Sequence, residues 1–411
     1  MTGEVELACA DLYLRDLVLG KPVEAGHFRQ LAAALGEVAT ALHWSASLET
    51  QAHLQIDLLR RIYPELPDFG PPLDELWRLW LPLAVDIARQ RVTGRPFFQG
   101  VLGPQGSGKT TAVTLLKYLL EQLGLKVVSL SLDDFYLSAR ERLQAGIAHR
   151  GPPGTHDCAL GLATFKALHA DTLPIWVPRF EKGAWKGTGD RFAWVELQPG
   201  LQLSGLVRGS DFVLTGCRVA GQVVALPVEM GSPLPMSWLV VDVVYPDGTP
   251  LAVICDLQGG CTLQGLGQSS LLAGPLPAGW SLYMATPDIV LFEGWFVGVR
   301  PVEPSGLTTD AARRSNKQLV DYLPLWDCLD RLMILRPEDP TMSKTWRRQA
   351  EQSLRTSGLG GMDDAAIDRF VESFWEALPQ AVFYPPVLQD RCHLVVDVGA
   401  DRRASAIFRP Q

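Results

Sequence analysis

The chain of 411 residues lacks several things, and each absence excludes a class of protein. No stretch approaches the roughly 18 consecutive apolar residues a membrane-spanning helix needs. The richest runs, Ile289–Phe292 and Leu332–Leu335, are strand-sized and bounded by charge or Pro. There is no basic excess: 37 Lys and Arg against 45 Asp and Glu give a net charge of −8. That argues against a general nucleic-acid surface, though a few placed cations and backbone amides suffice for a small anion. There is no C-x-x-C pair. The seven cysteines are odd in number and scattered, the pattern of reduced thiols in a cytoplasmic compartment. The opening residues are acidic and carry no apolar stretch, which speaks against a secretory or transit peptide. No internal repeat is visible, and no Lys occurs between Lys186 and Lys317.

What is present divides the chain. Residues 1–95 read as a helical region: Leu31, Leu35, Val38 and Leu42 recur at helical spacing. Leu73, Leu76, Trp77, Trp80, Leu83, Ala84, Ile87 and Ala88 fall on one side of a second segment, where both Trp read as core. Pro82 inside that segment predicts a kink or a helix start. From residue 96 strands alternate with helices, the pattern of a parallel α/β sheet. Strands are expected at Phe97–Leu102, Lys126–Leu132, Leu173–Val177, Asp288–Phe292, Arg331–Leu335, Leu394–Val398 and Ala404–Phe408. Helices are expected at Gly108–Gly124, Ala159–His169, Thr341–Ser357 and Ala365–Leu378. Between Arg191 and Asp288 the chain is poor in charge and rich in Gly, Val and Leu. Short alternating runs such as Gln222–Leu226 and Leu239–Val244 are separated by turn signals at Pro246-Asp247-Gly248 and Gly259-Gly260. This predicts a β-rich insert over 193–286, because about 90 residues is too long for a structureless loop.

Gly103-Pro-Gln-Gly-Ser-Gly-Lys109-Thr110 fits G-x-x-x-x-G-K-[ST] after a short strand and before a helix. Gly103, Gly106, Ser107, Gly108 and Thr111 complete a phosphate cradle of backbone amides, which a helix N-terminus supports. In such a cradle Lys109 acts on the β/γ-phosphate oxygens, and Thr110 offers a hydroxyl to Mg²⁺. The expected cofactors are ATP and Mg²⁺. About 24 residues on, a strand expected beside the P-loop strand ends in Ser131-Leu-Asp133-Asp134-Phe135-Tyr136. A kinase that phosphorylates an alcohol needs a base for the hydroxyl proton, and Asp133 suits that role; an Asp cap on the following helix is the plainer alternative. The apolar strand Asp288-Ile-Val-Leu-Phe-Glu293 brings one carboxylate to the metal, here Glu where Asp is usual. Cations gather between Arg150 and Arg191. An acid substrate wants a bidentate Arg fork, and Arg179 and Arg191 are chosen for it, with Arg150 and His156 beside them. Arg347 and Arg348, on a helix, would neutralise transition-state charge over the nucleotide.

These elements occur in one order with further ones: Arg150-Gly-Pro-Pro-Gly-Thr-His156-Asp157, Pro178-Arg179-Phe180-Glu-Lys182, Gly189-Asp190-Arg191, Phe292-Glu-Gly-Trp295, Trp346-Arg347-Arg348-Gln-Ala-Glu351 and Asp401-Arg402, with Asn316 and Tyr322 between. Over about 75–192 and 287–410 the chain resembles the D-glycerate 3-kinases of photosynthetic organisms. That family is related to uridine kinase, pantothenate kinase and phosphoribulokinase. The resemblance implies an α/β fold with a P-loop NTPase-type parallel sheet flanked by helices, here bearing a helical extension and the insert. The kinase domain would then comprise 96–192 and 287–411. It implies transfer of the ATP γ-phosphoryl group to the 3-hydroxyl of D-glycerate, as in photorespiratory salvage. Asp133 matches the base, Asp134 a second carboxylate, Lys109 a catalytic cation, and Thr110 and Glu293 the Mg²⁺ residues. The 192–286 segment departs from the family, where Gly-Asp-Arg leads soon to Glu-Gly-Trp. The alternatives are a kinase of another small alcohol (nucleoside, pantothenate or sugar phosphate) and a non-catalytic ATP-binding module. The expected partner is a small molecule, with neither nucleic acid nor membrane; oligomeric state stays open.

Overall fold

The computed structural model describes residues 13–66, 70–170, 175–182, 189–191, 285–356 and 363–410. Between 193 and 283 it describes the backbone of the strands named below. Leu173, Lys186 and the turns at Pro246–Gly248 and Gly259–Gly260 lie outside the described residues.

The chain packs as two compact units: Met1–Leu130 with Asp288–Gln411, and Ser131–Pro287. The first is built on a six-stranded sheet. Its strands are β1 (Phe97–Leu102), β2 (Val127–Ser131), β3 (Ile289–Gly294), β4 (Arg331–Pro337), β5 (Cys392–Val398) and β6 (Ala404–Phe408). Their order across the sheet is β6-β5-β4-β1-β3-β2. β1 runs parallel to both β3 and β4, and β5 parallel to β4; β6 returns antiparallel to β5. Every residue of β1 and β3 is buried, as a strand covered on both faces requires. The chain thus has the α/β P-loop kinase-type fold, a mostly parallel sheet flanked by helices.

Sheet order corrects one expectation. β2 does not lie beside the P-loop strand; β3 stands between them. The amides of Asp288 and Ile289 both donate to the Lys126 carbonyl, which joins the start of β3 to the start of β2. Sequence neighbours are separated here by a strand that arrives about 160 residues later, after the whole second unit.

The N-terminal helices Ala25–Ala33, Gly36–Ala41 and Leu48–Ile62 share one apolar core with the sheet. Leu31, Leu35, Leu59 and Trp77 join Phe97, Leu115, Met333 and Leu394 in it. Trp77 is fully buried and donates its indole N–H to the Leu31 carbonyl at 2.9 Å. Pro82 is accommodated in a specific way. Residues Leu76–Trp80 form a π-turn, and Pro82 then occupies the first turn of the α-helical segment Leu81–Arg89. The π-turn shifts the backbone pairing just ahead of Pro82, so the helix continues past a residue that has no N–H to donate.

Pattern did not announce every helix beyond residue 95, and two of those it missed flank the sheet strands along the chain. Asp310–Gln318 is capped by Thr309. Gln380–Asp390 carries Pro385 and Pro386 inside it, yet buries Phe383, Tyr384 and Val387.

In the second unit, helix Cys158–His169 is capped by Asp157. Five strands form a sheet in the order 261–265, 250–256, 238–244, 280–283, 175–177. Ile175–Val177 therefore pairs, antiparallel, with a strand from the end of the segment read as an insert. Register sets Cys255 opposite Cys261. Short antiparallel pairs join 193–195 to 224–226 and 180–181 to 190–191.

Candidate active site

The P-loop connects β1 to the helix Lys109–Gln122, which ends before Gly124 in the left-handed conformation. Two glycines carry the loop's geometry. Gly106 has φ +79° and Gly108, the residue before the helix, φ +85°. Side chains strain at such angles, whereas Gly adopts them freely. A Cβ on Gly103 would also lie 2.6 Å from Ser107 Oγ and 2.9 Å from the Leu335 carbonyl oxygen. Ser107 is buried and donates to the Pro104 carbonyl at 2.9 Å. Lys109 Nζ donates to the same carbonyl at 2.8 Å, which draws the cation across the loop. Thr111 is exposed on the first helical turn.

Thr110 Oγ1 donates to Glu293 Oε1 at 2.9 Å, across 183 residues of sequence. Glu293 is the penultimate residue of the buried strand β3 and is itself buried. A hydroxyl and a carboxylate at this separation are hard oxygen donors of the kind Mg²⁺ takes, so the pair fits that ion. Among the described residues no cluster of three or more His, Cys, Asp or Glu forms a metal cage. Mg²⁺ characteristically uses one or two protein oxygens together with substrate phosphates.

The helix Met342–Thr356 holds both expected nucleotide arginines, and each has a protein partner. Arg347 pairs with Glu351 at 2.5 Å, its guanidinium 5.3 Å from the Phe370 ring centre. Arg348 Nη2 reaches both Asp368 oxygens at 2.6 and 2.7 Å. Lys344 pairs with Glu372. Three side chains thereby tie this helix to the next, Asp364–Ala377.

In the second unit, Asp133 and Asp134 sit in a 3₁₀ turn, Leu132–Phe135. Ser131 and Asp134 form a capping box: the Ser131 hydroxyl accepts from the Asp133 amide at 3.2 Å, and Asp134 Oδ2 accepts from the Ser131 amide at 2.9 Å. Asp134 also holds Arg179 at 3.0 Å. Lys182 Nζ lies 2.7 Å from Asp133 Oδ2. The two carboxylates are thus held differently. Asp134 is fixed by backbone and a half-buried arginine, while Asp133 is paired with a lysine that is 60% exposed.

The loop Arg150–Asp157 pairs back on this turn. The Leu137 amide donates to the Thr155 carbonyl at 3.0 Å, and the Asp157 amide to the Phe135 carbonyl at 2.7 Å. His156 is buried and stacks on Tyr136, ring centres 4.2 Å apart. Burial pushes its imidazole down to about 3, against a smaller upward pull from the Asp133 charge. It is neutral at physiological pH. Phe180 carries a guanidinium near its ring from each of two arginines, Arg150 at 5.4 Å and Arg142 at 5.7 Å. The Arg191 backbone pairs with Phe180, while its side chain lies outside the described residues.

Arg142 was not among the expected site residues, and Lys182 counted only among the cations gathered between Arg150 and Arg191. Arg142 is buried and donates to the Gly189 carbonyl at 2.6 Å and to the Leu137 carbonyl. One signal for the turns was present: Ser131-x-x-Asp134 and Ser138-x-x-Glu141 both have capping-box spacing, and both form it.

No family model matches the chain. Among curated proteins it is 26% identical over 310 residues to the chloroplastic D-glycerate 3-kinase of Arabidopsis thaliana, covering 71% of this chain and 48% of the plant protein. This chain thus spans about half the length of that relative. It is 24% identical over 324 residues to an uncharacterized kinase of Schizosaccharomyces pombe, covering 73% of this chain and 85% of the yeast protein. A probable ATP-dependent kinase of Saccharomyces cerevisiae is 33% identical over 112 residues, 23% of this chain and 39% of that one. A solved structure of D-glycerate 3-kinase from Cryptococcus neoformans shares the fold, with a TM-score of 0.51 at 19% identity over 80% of this chain and 97% of that one. The chain is therefore a relative of the D-glycerate 3-kinase family of P-loop kinases.

Proposed function

We propose that the chain is an ATP-dependent phosphotransferase that moves the γ-phosphoryl group of ATP to the 3-hydroxyl of D-glycerate, giving 3-phospho-D-glycerate and ADP. The observation that carries the nucleotide half is the Thr110–Glu293 contact at 2.9 Å beside a loop with two glycines at positive φ, Gly106 and Gly108. Lys109 acts on charge that develops on the phosphoryl oxygens, and Gly103 to Thr111 supply amides and the helix N-terminus. Thr110 and Glu293 would hold Mg²⁺, which neutralises phosphate charge when bound. Arg347 and Arg348, each paired with a carboxylate in this structure, Glu351 and Asp368, would turn to the same charge in the transition state.

On the acceptor side Asp133 takes the hydroxyl proton. Its pairing with exposed Lys182 is a weak one, about 0–1 kcal/mol in water, so the lysine exchanges readily to an acceptor carboxylate. Asp134 orients Arg179, which with Arg150 and Arg191 recognises that carboxylate. His156, neutral and stacked, shapes the loop and does not serve as the base. The similarity to a plant enzyme printed as D-glycerate 3-kinase supports this acceptor.

The test is ADP release with D-glycerate, uridine, pantothenate and ribulose 5-phosphate offered separately. Turnover confined to D-glycerate is expected. Turnover with another acceptor and none with D-glycerate would replace the substrate assignment. ATP binding without any acceptor turnover would replace the kinase.

A further inference from the structure

Gly106 has a neighbour that the phosphate chemistry does not explain. A Cβ built on it would lie 2.6 Å from Cβ of Trp346, with the Trp346 carbonyl carbon and ring at 3.6 Å. Trp346 is fully buried. The middle of the P-loop therefore rests directly on the helix Met342–Thr356, with no side chain between them.

Trp346 is in turn fixed from the far end of the sheet. Its indole N–H donates to the Ala400 carbonyl at 3.3 Å, in the turn from β5 to β6. Arg402, in the same turn, donates through Nη2 to Gln349 Oε1 at 2.9 Å and to the Trp346 carbonyl at 3.4 Å. Its guanidinium carbon lies 5.9 Å from the indole ring centre. Arg402 holds φ +66°, one of two non-glycine residues among those described with positive φ. An L-residue stays in that region only where its surroundings over-determine it. Here the surroundings are the hydrogen-bonded turn from Gly399 to Arg403 and the side-chain contacts to Trp346 and Gln349. Gly399 closes the turn, its amide donating to the Arg403 carbonyl and its own carbonyl accepting from the Arg402 amide.

We infer that Trp346 and Arg402 are positioning residues for the nucleotide: Arg402 fixes Trp346, and Trp346 backs Gly106 so that the P-loop amides stand pre-formed for the triphosphate. The inference rests on the nucleotide-binding reading given above. Neither residue need touch the ligand. An anion cradle made of backbone amides binds well only when the amides already converge, because ordering them on binding weakens the complex. The helix that carries Trp346 also carries Arg347 and Arg348, so the same contact sets where those arginines stand.

The experiment uses the full chain and a fluorescent ADP analogue, with thermal unfolding measured without nucleotide. Arg402→Gly is the informative variant. Glycine accepts φ +66° freely, so its unfolding temperature stays at or above the parental one. Its affinity for the nucleotide falls roughly tenfold, equivalent to about 1.4 kcal/mol, while the KM of the acceptor is unchanged. Trp346→Phe keeps a buried ring behind Gly106 and binds within about threefold of the parent, whereas Trp346→Ala, which keeps the Cβ but loses the ring that Arg402 lies against, binds as weakly as Arg402→Gly. A folded Arg402→Gly chain with parental nucleotide affinity overturns the inference. So does an Arg402→Gly chain that does not fold, since the residue would then serve stability. A parental chain that fails to bind the analogue removes the nucleotide-binding reading itself, and the inference with it. Parental binding combined with unaffected variants removes the inference alone.

Discussion

On the proposed reading Lys109, Thr110 and Glu293 carry the nucleotide chemistry, and Lys109 and the Thr110–Glu293 pair each have a contact that a variant removes. Lys109→Ala would then remove a charge that acts on developing phosphate oxygens, while within the loop it removes a hydrogen bond to the Pro104 carbonyl. Turnover should fall by two orders of magnitude or more while the unfolding temperature barely moves, as steady-state assay and calorimetry would show. Asp134→Ala should behave otherwise. It removes an N-terminal capping partner and the anchor of Arg179, so stability should drop by about 1–2 kcal/mol in urea and the acceptor KM should rise. An unchanged acceptor KM would show that Arg179 does not serve the substrate. The P-loop residues were legible because they are contiguous and their spacing is dictated by the phosphate. Arg142 was not: it works through the Gly189 carbonyl, 47 residues away, and no local pattern announces such a contact.

Two histidines give a pH dependence at the same scale. Burial holds His156 at about 3, and burial, reinforced by the nearby Arg331 charge, holds His393 at about 3. His393 Nδ1 lies 2.6 Å from the Leu332 carbonyl. Each imidazole takes up its proton more readily in the unfolded chain, where its value is 6.5. Their contribution to stability is complete above pH 6.5 and declines as the pH falls from there toward 3. Between pH 7 and 5 each should account for about 1–2 kcal/mol of lost stability. His393→Asn should flatten that decline in urea unfolding followed across pH. An identical slope in the variant would show that the ring is solvated.

Among the elements, β3 decides most. By entering between β1 and β2 it brings Glu293 beside Thr110, a juxtaposition that sequence order conceals because the strand follows β2 by some 160 residues. Strand existence was readable from continuous apolar runs; strand order was not, because order depends on which edge each returning strand finds. Gln380–Asp390 shows the converse. Two prolines argue against a helix there, yet burial of Phe383, Tyr384 and Val387 outweighs the hydrogen bonds they remove. Phe383→Ala should therefore cost the full amount for a buried aromatic, about 3–5 kcal/mol, since packing is what holds that helix. A loss below 1 kcal/mol in urea unfolding would mean the helix stands without it.

For the whole molecule, the phosphate machinery and the two adjacent aspartates belong to different compact units. Removing 196–283 and bridging the ends with a short Gly/Ser link should leave a folded chain that still binds ADP, because the P-loop, Thr110 and Glu293 all lie in the sheet unit. Acceptor turnover should fall but persist, since Ile175–Val177 loses its antiparallel neighbour Trp280–Tyr283. Insoluble chain would mean that the segment is part of the core. The β character of this segment was readable from alternation and turn residues. Its pairing with a strand before Arg179 was not, since composition carries no information about partners so distant in sequence.

Phosphorus NMR of the parental chain and Asp133→Asn, each incubated with ATP, Mg²⁺ and D-glycerate, tests the central claim most directly. The parental chain should convert ATP into equal amounts of ADP and a phosphomonoester on the 3-oxygen of glycerate. Asp133→Asn should bind ATP as the parent does and form that product at least a hundredfold more slowly. Phosphate on another oxygen, inorganic phosphate alone, or an Asp133→Asn chain as fast as the parent would contradict it.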